Sequence, residues 1–389
     1  MNLDDFKNST SGRILKVGQS EAAYWAFVPD PLPPELELDD ETIQLSNEAS
    51  LVLGRLDGLG NALTNPHLLI NPFIRREAVL SSRIEGTQAS IADLYAYEAG
   101  QQPQVPEADV REVLNYVHAL EYGLERLESL PISLRFMLEL HERLMRGVRS
   151  DQATPGEFRR SQNWIGRPGA TLNDATYVPP PVPEMRDCLD ALEKYIHYSS
   201  KHPPLVRIAM IHQHFEAIHP FLDGNGRIGR LLITLLLVSW GLLIKPLLYL
   251  SAFFERNRNE YYARLLAVNQ HGDWDGWVKF FLRGVREQAG DAADRAKRLQ
   301  DLQLAWRREL LTARRSARAI QLADSLFETP VITVALAAKT LGCDYNPAKS
   351  AVRVLVEAGV LAPADERSYD KRYVAEGIMA IVERESSTT

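Results

Sequence analysis

A chain of 389 residues is longer than one hydrophobic core ordinarily supports and points to two or three domains. Its 45% apolar and 24% charged residues are those of an ordinary globular protein, and two cysteines, Cys188 and Cys343, exclude a disulfide framework and a structural zinc centre. A net charge of -7 argues against non-specific nucleic-acid binding by the whole chain and leaves room for a local basic surface.

The N-terminus MNLDDFKNST lacks the basic-then-apolar layout of a signal peptide. The longest apolar run, Leu231 to Ile244, is interrupted by Thr234, Ser239 and Trp240 and is too short to span a membrane. The expectation is a cytoplasmic protein with no membrane partner. Residues 1 to 40 are polar and proline-containing (Pro29-Asp30-Pro31-Leu32-Pro33-Pro34), which reads as an extended surface arm. From Asp40 a helical period carries Ile43, Leu51, Leu53, Leu56, Leu59 and Leu63, and Asn65-Pro66 ends it. Pro72 opens the next helix, to Ile84, with Phe73, Ile74, Val79 and Leu80 buried and Gly86 just past its end.

Pro103 to Pro106 marks a linker before a long amphipathic helix, Asp109 to Leu130. Another runs from Ile132 to Val148, with Ser133 as its cap. Ile165 to Pro181 reads as a hairpin with turn residues at Gly166, Pro168-Gly169 and Asn173-Asp174, and Val182 to His197 resumes as helix. Helices follow at Leu205 to Ile218, from Gly226 onward, at Glu260 to Val268 and at Trp274 to Gly290, then a solvated connecting helix, Asp291 to Arg315. Val334 to Leu341, Gly342 and Pro347 to Ala358 match a helix-turn-helix, with short strands at Gly359-Val360-Leu361 and Arg372-Tyr373-Val374 as in a winged helix. The fold class expected is mostly α. Its divisions are 1–108, 109–290, 291–315 and 316–389.

Between two strongly apolar helices lies His219-Pro220-Phe221-Leu222-Asp223-Gly224-Asn225-Gly226-Arg227-Ile228-Gly229-Arg230. Gly224 and Gly226 let the backbone come close to a ligand, and a helix opening near Gly226 offers unpaired N–H groups and its positive dipole end. Arg227 and Arg230 share one face of its first turn. Phe221 and Ile228 anchor the loop. The whole reads as a polyphosphate cradle: His219 at its mouth can take a proton from an incoming hydroxyl, and Asp223 is a hard oxygen ligand suited to Mg2+. His212 and His214, two apart on a helix, point in different directions and make a poor shared metal site. His141 reads as a packed helix residue.

These twelve residues match the Fic-domain signature H-x-F-x-D/E-G-N-G-R-x-x-R at every fixed position, and Ser81-Ser82-Arg83-Ile84-Glu85-Gly86 resembles the family's inhibitory motif S/T-x-x-x-E-G/N. The chain is similar to the Fic subclass with an N-terminal inhibitory helix and a C-terminal winged helix. The resemblance implies transfer of AMP from ATP, with Mg2+, to Ser, Thr or Tyr hydroxyls of target proteins. It makes His219 the general base and Asp223 the Mg2+ ligand. Asn225, Gly226 and Arg227 would hold the α- and β-phosphates, Arg230 would meet the γ-phosphate, and Asp223, Gly224, Ile228 and Gly229 would complete the ATP-binding loop. The hairpin becomes a substrate-positioning flap with Thr176, Tyr177 and Val178 alongside the nucleotide or target. Tyr261 and Asn269, eight apart, would line the adenine and ribose site.

Ser81 and Glu85 share a helix face, and a carboxylate there aimed at Arg230 would stand where the γ-phosphate belongs. The resemblance therefore implies autoinhibition by Glu85 and leaves a homodimer open. Two alternatives remain: removal of AMP from modified proteins, and a nucleotide-sensing regulator that binds DNA through residues 316–389. For the latter, Lys339, Lys349, Arg353, Arg367, Lys371 and Arg372 supply modest positive charge against Asp365 and Glu366.

Overall fold

The computed structural model describes residues 1–19, 23–62, 67–100, 102–148, 154–167, 169–198, 200–364 and 371–384. Helices dominate, as expected. The N-terminal segment, however, is not an extended arm. After a 3-10 turn at Leu3–Phe6, strands β1 (Gly12–Val17) and β2 (Tyr24–Pro29) pair antiparallel, from Gly12 opposite Pro29 to Val17 opposite Tyr24. The run Tyr-Trp-Ala-Phe-Val favours a strand, and Ala26, Phe27 and Val28 are buried. The neighbouring prolines masked that signal.

Helix α1 (Asp40–Ala62) buries Leu45, Ala49, Leu53 and Leu56, whereas Ile43 and Leu51 stay exposed at 46% and 59%. Its buried stripe is thus rotated from the expected one; Leu63 and Asn65-Pro66 lie outside the described residues. Helix α2 (His67–Ile84) starts before Pro72 and holds that proline in its second turn. Losing one backbone bond there is tolerated because Phe73, Ile74, Ala78 and Val79 are buried, while Leu80 is only half-buried. Gly86 ends this segment at φ +104°. Helix α3 (Ile91–Glu98) follows, opened by a reciprocal cap between Ser90 and Asp93.

Helices α4 (Glu107–Arg126) and α5 (Leu134–Leu144) pack together, α5 capped by the Ser133 hydroxyl on the Phe136 N–H at 3.3 Å. The expected hairpin is reduced to one antiparallel bridge, Ile165 to Tyr177; Pro168 lies outside the described residues. Then come α6 (Val182–His197), α7 (Pro204–Ile218), α8 (Asn225–Ser239), α9 (Ser251–Arg256) and α10 (Arg258–His271). Helix α11 (Trp274–Thr312) is a single 39-residue helix where a helix and a solvated connector were expected. Ala292, Arg295, Ala296, Leu299, Trp306 and Leu310 keep one of its faces buried throughout the supposed connector.

The C-terminal segment holds α12 (Ala317–Ser325), β3 (Val331–Thr333), α13 (Val334–Leu341), α14 (Tyr345–Glu357), β4 (Ala362–Pro363), β5 (Arg372–Val374) and α15 (Glu376–Glu383). The helix pair turns at Gly342, φ +58°, and the three strands pair antiparallel in the order β3-β5-β4. The strand expected at 359–361 begins instead at Ala362, and Asp365, Glu366 and Arg367 lie outside the described residues. One contiguous apolar core runs from Val28 to Val382, through the helices around the central loop and into this segment. Among the described residues no helix is long and apolar enough to cross a membrane.

Candidate active site

Helix α7 stops at His219 because Pro220 disfavours a helical residue before it, and His219 takes a left-handed conformation, φ 47°. The loop then closes on itself. The Asn225 carboxamide accepts from the Phe221 N–H and donates to the Phe221 carbonyl, both at 2.8 Å. Gly224 sits at φ +82°, where a Cβ would press within 2.9 Å of the Met145 sulfur. His141 stacks on Phe221, ring centroids 3.8 Å apart. Its Nδ1 accepts from the Gly156 N–H at 3.1 Å, so its Nε2–H donates to the Asp223 carbonyl, also at 3.1 Å. His141 is therefore more than packing: it ties the loop to the turn at Gly156 that precedes the flap. Ile228 is fully buried, as its anchoring role requires.

The His219 Nδ1–H donates to the Glu216 carbonyl at 3.3 Å, which leaves Nε2 as the basic nitrogen. The His219 carbonyl accepts from Arg159 Nε at 3.0 Å and Asn163 Nδ2 at 3.2 Å. Burial, with the Arg159 charge second, lowers the imidazole to about 4, so it is neutral at pH 7. Arg159 also donates to the carbonyls of Ser161 (3.2 Å) and Pro180, and its own N–H reaches the Pro220 carbonyl at 2.9 Å. Flap and histidine thus hang from one buried guanidinium. Arg159 and Asn163 were invisible as site residues, since nothing in a turn-rich stretch signals a partner sixty residues away.

Both arginines of the loop are buried, and both are taken. Arg230, 2% exposed, donates from Nε to Ser81 Oγ at 2.8 Å, and from Nη2 to the Ser81 carbonyl at 3.0 Å and Glu85 Oε1 at 2.6 Å. Burial raises the Glu85 carboxyl, but Arg230, then Arg227 and His219, outweigh it and bring the carboxyl below its usual range. Removing one member of such a pair typically costs about 3–5 kcal/mol when fully buried, and less here because Glu85 is 35% exposed. Arg227 faces Glu112 of α4 at 3.4 Å and Asp223 at 3.5 Å, and its Nε lacks a partner among the described residues. No sequence signal pointed to Glu112. Behind Ser81, one turn earlier on the same face of α2, buried Glu77 accepts from Tyr116 (3.0 Å), the Ser251 hydroxyl (2.5 Å) and the Ser251 N–H (3.2 Å). Glu77, Ser81 and Glu85 make one stripe.

Asp223 is the open carboxylate, 44% exposed. Its Oδ1 accepts from the Gly224 N–H at 2.6 Å, and it keeps lone pairs toward solvent. No side chain caps the N-terminus of α8, so the first N–H groups of Asn225, Gly226 and Arg227 stay available to an anion. Gly226 allows the approach of Glu85, and the Gly229 carbonyl accepts from His212 Nδ1 at 3.1 Å.

Several of the expected contact residues turn their side chains inward. The side chains of Tyr177 (3% exposed) and Val178 (0%) face the core, with the Tyr177 hydroxyl on the Ala217 carbonyl at 2.8 Å; of the three flap residues only Thr176 points outward. Tyr261 is buried against Phe254, its hydroxyl paired with His212 Nε2 at 2.8 Å, and buried Asn269 accepts from Gln213 at 3.0 Å. Tyr261 lies within electrostatic reach of Arg230. The aromatic at the mouth is Tyr262, 43% exposed, which feels Glu85 and Arg230 electrostatically and lies beneath Arg258. His212 and His214 share no ligand, and among the described residues no group of three His, Cys, Asp or Glu side chains could hold a metal by itself.

Residues 43–125 match the model of the Fic/DOC family N-terminal region, and residues 131–237 match that of the Fic/DOC family. The chain is 30% identical over 172 residues to the protein adenylyltransferase Fic of Drosophila willistoni and 32% identical over 174 residues to that of Drosophila yakuba. Each match covers 43% of this chain and 31% of the relative, so the chain matches about a third of those proteins' length. A Fic family protein from Desulfovibrio desulfuricans superposes with a TM-score of 0.58 at 22% identity, over 88% of this chain and 98% of that one. Fic-1 from C. elegans gives 0.53 at 23%, over 67% and 74%. The chain thus carries, side by side, the Fic/DOC family N-terminal region and a Fic/DOC family domain, and the loop from His219 to Arg230 lies within the latter.

Proposed function

We propose that the chain is a protein adenylyltransferase, transferring AMP from ATP to Ser, Thr or Tyr hydroxyls of target proteins and held off by its own Glu85. The observation that carries this is the 2.6 Å pair between Glu85 and Arg230, which places a carboxylate on the guanidinium at the end of a phosphate cradle. Arg230 would take the γ-phosphate, and the free N–H groups of α8 with Arg227 the inner phosphates. The Asp223 carboxylate, exposed and with lone pairs to spare, fits a Mg2+ that a single carboxylate and substrate phosphates hold between them, and that ion would neutralise phosphate charge. His219 is neutral, with Nε2 unprotonated, and receives the proton of the attacking hydroxyl. A target segment would lie along the outer edge of the flap, where Trp164, Ile165 and Thr176 are exposed.

With Glu85 seated, Arg230 is unavailable to ATP and the pyrophosphate side cannot be held in line for attack at the α-phosphorus. Mass spectrometry of the Glu85→Gly protein after incubation with Mg-ATP tests the reading. Addition of AMP to the protein itself or to lysate proteins, abolished in Glu85→Gly/His219→Ala, is the expected result. No addition to either overturns it.

A further inference from the structure

Glu216 stands one turn before His219 on α7, and its carbonyl is the acceptor that orients the imidazole at 3.3 Å. Its side chain reaches under the first turn of α8, where Oε1 fills the place that a Cβ on Gly229 would need. That oxygen is sealed from solvent and has no hydrogen-bond partner among the described residues. The groups facing the carboxyl are Arg230 of α8, Glu85 just past the end of α2 and Tyr261 of α10, with His212 of its own helix bordering the same Gly229 space. Burial raises the carboxyl to about 8; Arg230 opposes the rise and Glu85 adds to it. With Glu85 seated, Glu216 is an uncharged acid at pH 7.

Arg230 is too deeply buried to stand without a counter-charge. On the transferase reading, on which this inference rests, Glu85 must leave it. The repulsion from Glu85 then disappears, and two carboxyls still feel the guanidinium: Glu77, already occupied by Tyr116 and Ser251, and Glu216, whose Oε1 is unpartnered among the described residues. We propose that Glu216 is a third claimant on Arg230: it ionises to hold the guanidinium when both Glu85 and nucleotide are absent, and takes a proton back when the γ-phosphate docks. Glu216 is a positioning residue, acting through Arg230. Nucleotide binding to the released enzyme is therefore proton-coupled, and the glycine at 229 is the space this carboxyl requires.

The test compares Glu85→Gly with Glu85→Gly/Glu216→Gln from about pH 6 to about pH 9, so that the titration of ATP itself is common to both. In the first protein the KM for Mg-ATP climbs with pH, by up to about tenfold per pH unit once Glu216 titrates, relative to the second; kcat follows the same profile in both. Calorimetry of Mg-ATP binding in buffers of different ionisation heat shows proton uptake by Glu85→Gly in excess of that by the double variant, and this readout needs no turnover. Parallel KM profiles with equal proton uptake overturn the role of Glu216 while leaving the transferase intact. A Glu85→Gly protein that binds Mg-ATP but modifies nothing counts against the transferase reading instead. Should Glu216→Gln fail to fold, Glu216→Asp replaces it: a shorter carboxyl that still titrates keeps the proton uptake, and loss of the uptake with the carboxyl retained overturns the proposal.

Discussion

Gly226 and Glu85 contend for the same space. A Cβ on Gly226 would run into Glu85 Oε1 and lie 2.9 Å from Arg230 Nη1, so the glycine is demanded by the seated carboxylate as well as by any phosphate. Both neighbours are the far ends of flexible side chains and can give. Gly226→Ala is therefore expected to dislodge Glu85 and raise basal self-modification above wild type, while crowding Arg230 and raising the KM for ATP. Initial rates against ATP concentration check both; a wild-type basal rate would show that the two residues are not sterically coupled.

Ser81 holds Arg230 through its hydroxyl and its carbonyl, and only the hydroxyl can be removed by substitution. A hydrogen bond to a charged group contributes about 1.5–3 kcal/mol. Ser81→Ala should release part of the inhibition, giving a basal rate between wild type and Glu85→Gly. A rate equal to either extreme would make the serine contact irrelevant or dominant.

Glu77 fixes the register of the same helix face from one turn further back. Glu77→Gln orphans at least one buried donor, at about 1–3 kcal/mol. The expected outcome is a lower thermal midpoint together with a raised basal rate, because a helix free to rotate seats Glu85 less well. Destabilisation with unchanged inhibition would separate the anchor from the switch.

Arg159 contributes the second-largest influence lowering His219, after burial. The base must be neutral to accept a proton, so activity is lost as pH falls through its titration near 4. Taking away the positive charge raises that value. In a Glu85→Gly background, Arg159→Met should move the acid limb of kcat to higher pH and lower its plateau, since the flap also loses its tether to the His219 carbonyl. The pH profile of kcat is the measurement, and an unmoved limb contradicts the assignment.

What could be read from the chain was whatever is local. The loop from His219 to Arg230 packs its ligand groups into twelve consecutive positions, and Ser81 with Glu85 needs only helical spacing to be recognised. Helix α6 was legible for the same reason. Contacts chosen in three dimensions were not: Glu112 on Arg227, Arg159 on His219, and Glu216 against Gly229 are ordinary charged residues until the fold brings them together. For Tyr177, Val178, Tyr261 and Asn269 the family spacing fixes which residue is near the site but not which way its side chain faces, and all four are buried. The strand at Tyr24–Pro29 was hidden by adjacent prolines, and its Phe27 N–H, bonded to the Val178 carbonyl at 2.9 Å, braces the flap from beneath.

Helix α11 has a mechanical meaning. At 1.5 Å per residue its 39 residues span about 58 Å without a joint. Its first half lies against α1, α7 and α10, and its second half carries α12 and α15. Buried Arg295 fastens that second half to the end of α15 through the carbonyls of Ile381, Val382 and Arg384, and α15 in turn rests on α2, the helix that ends one residue before Glu85. The C-terminal segment is thus carried on the far half of one unbroken rod and touches, through α15, the helix that holds Ser81, at a distance from the loop between His219 and Arg230.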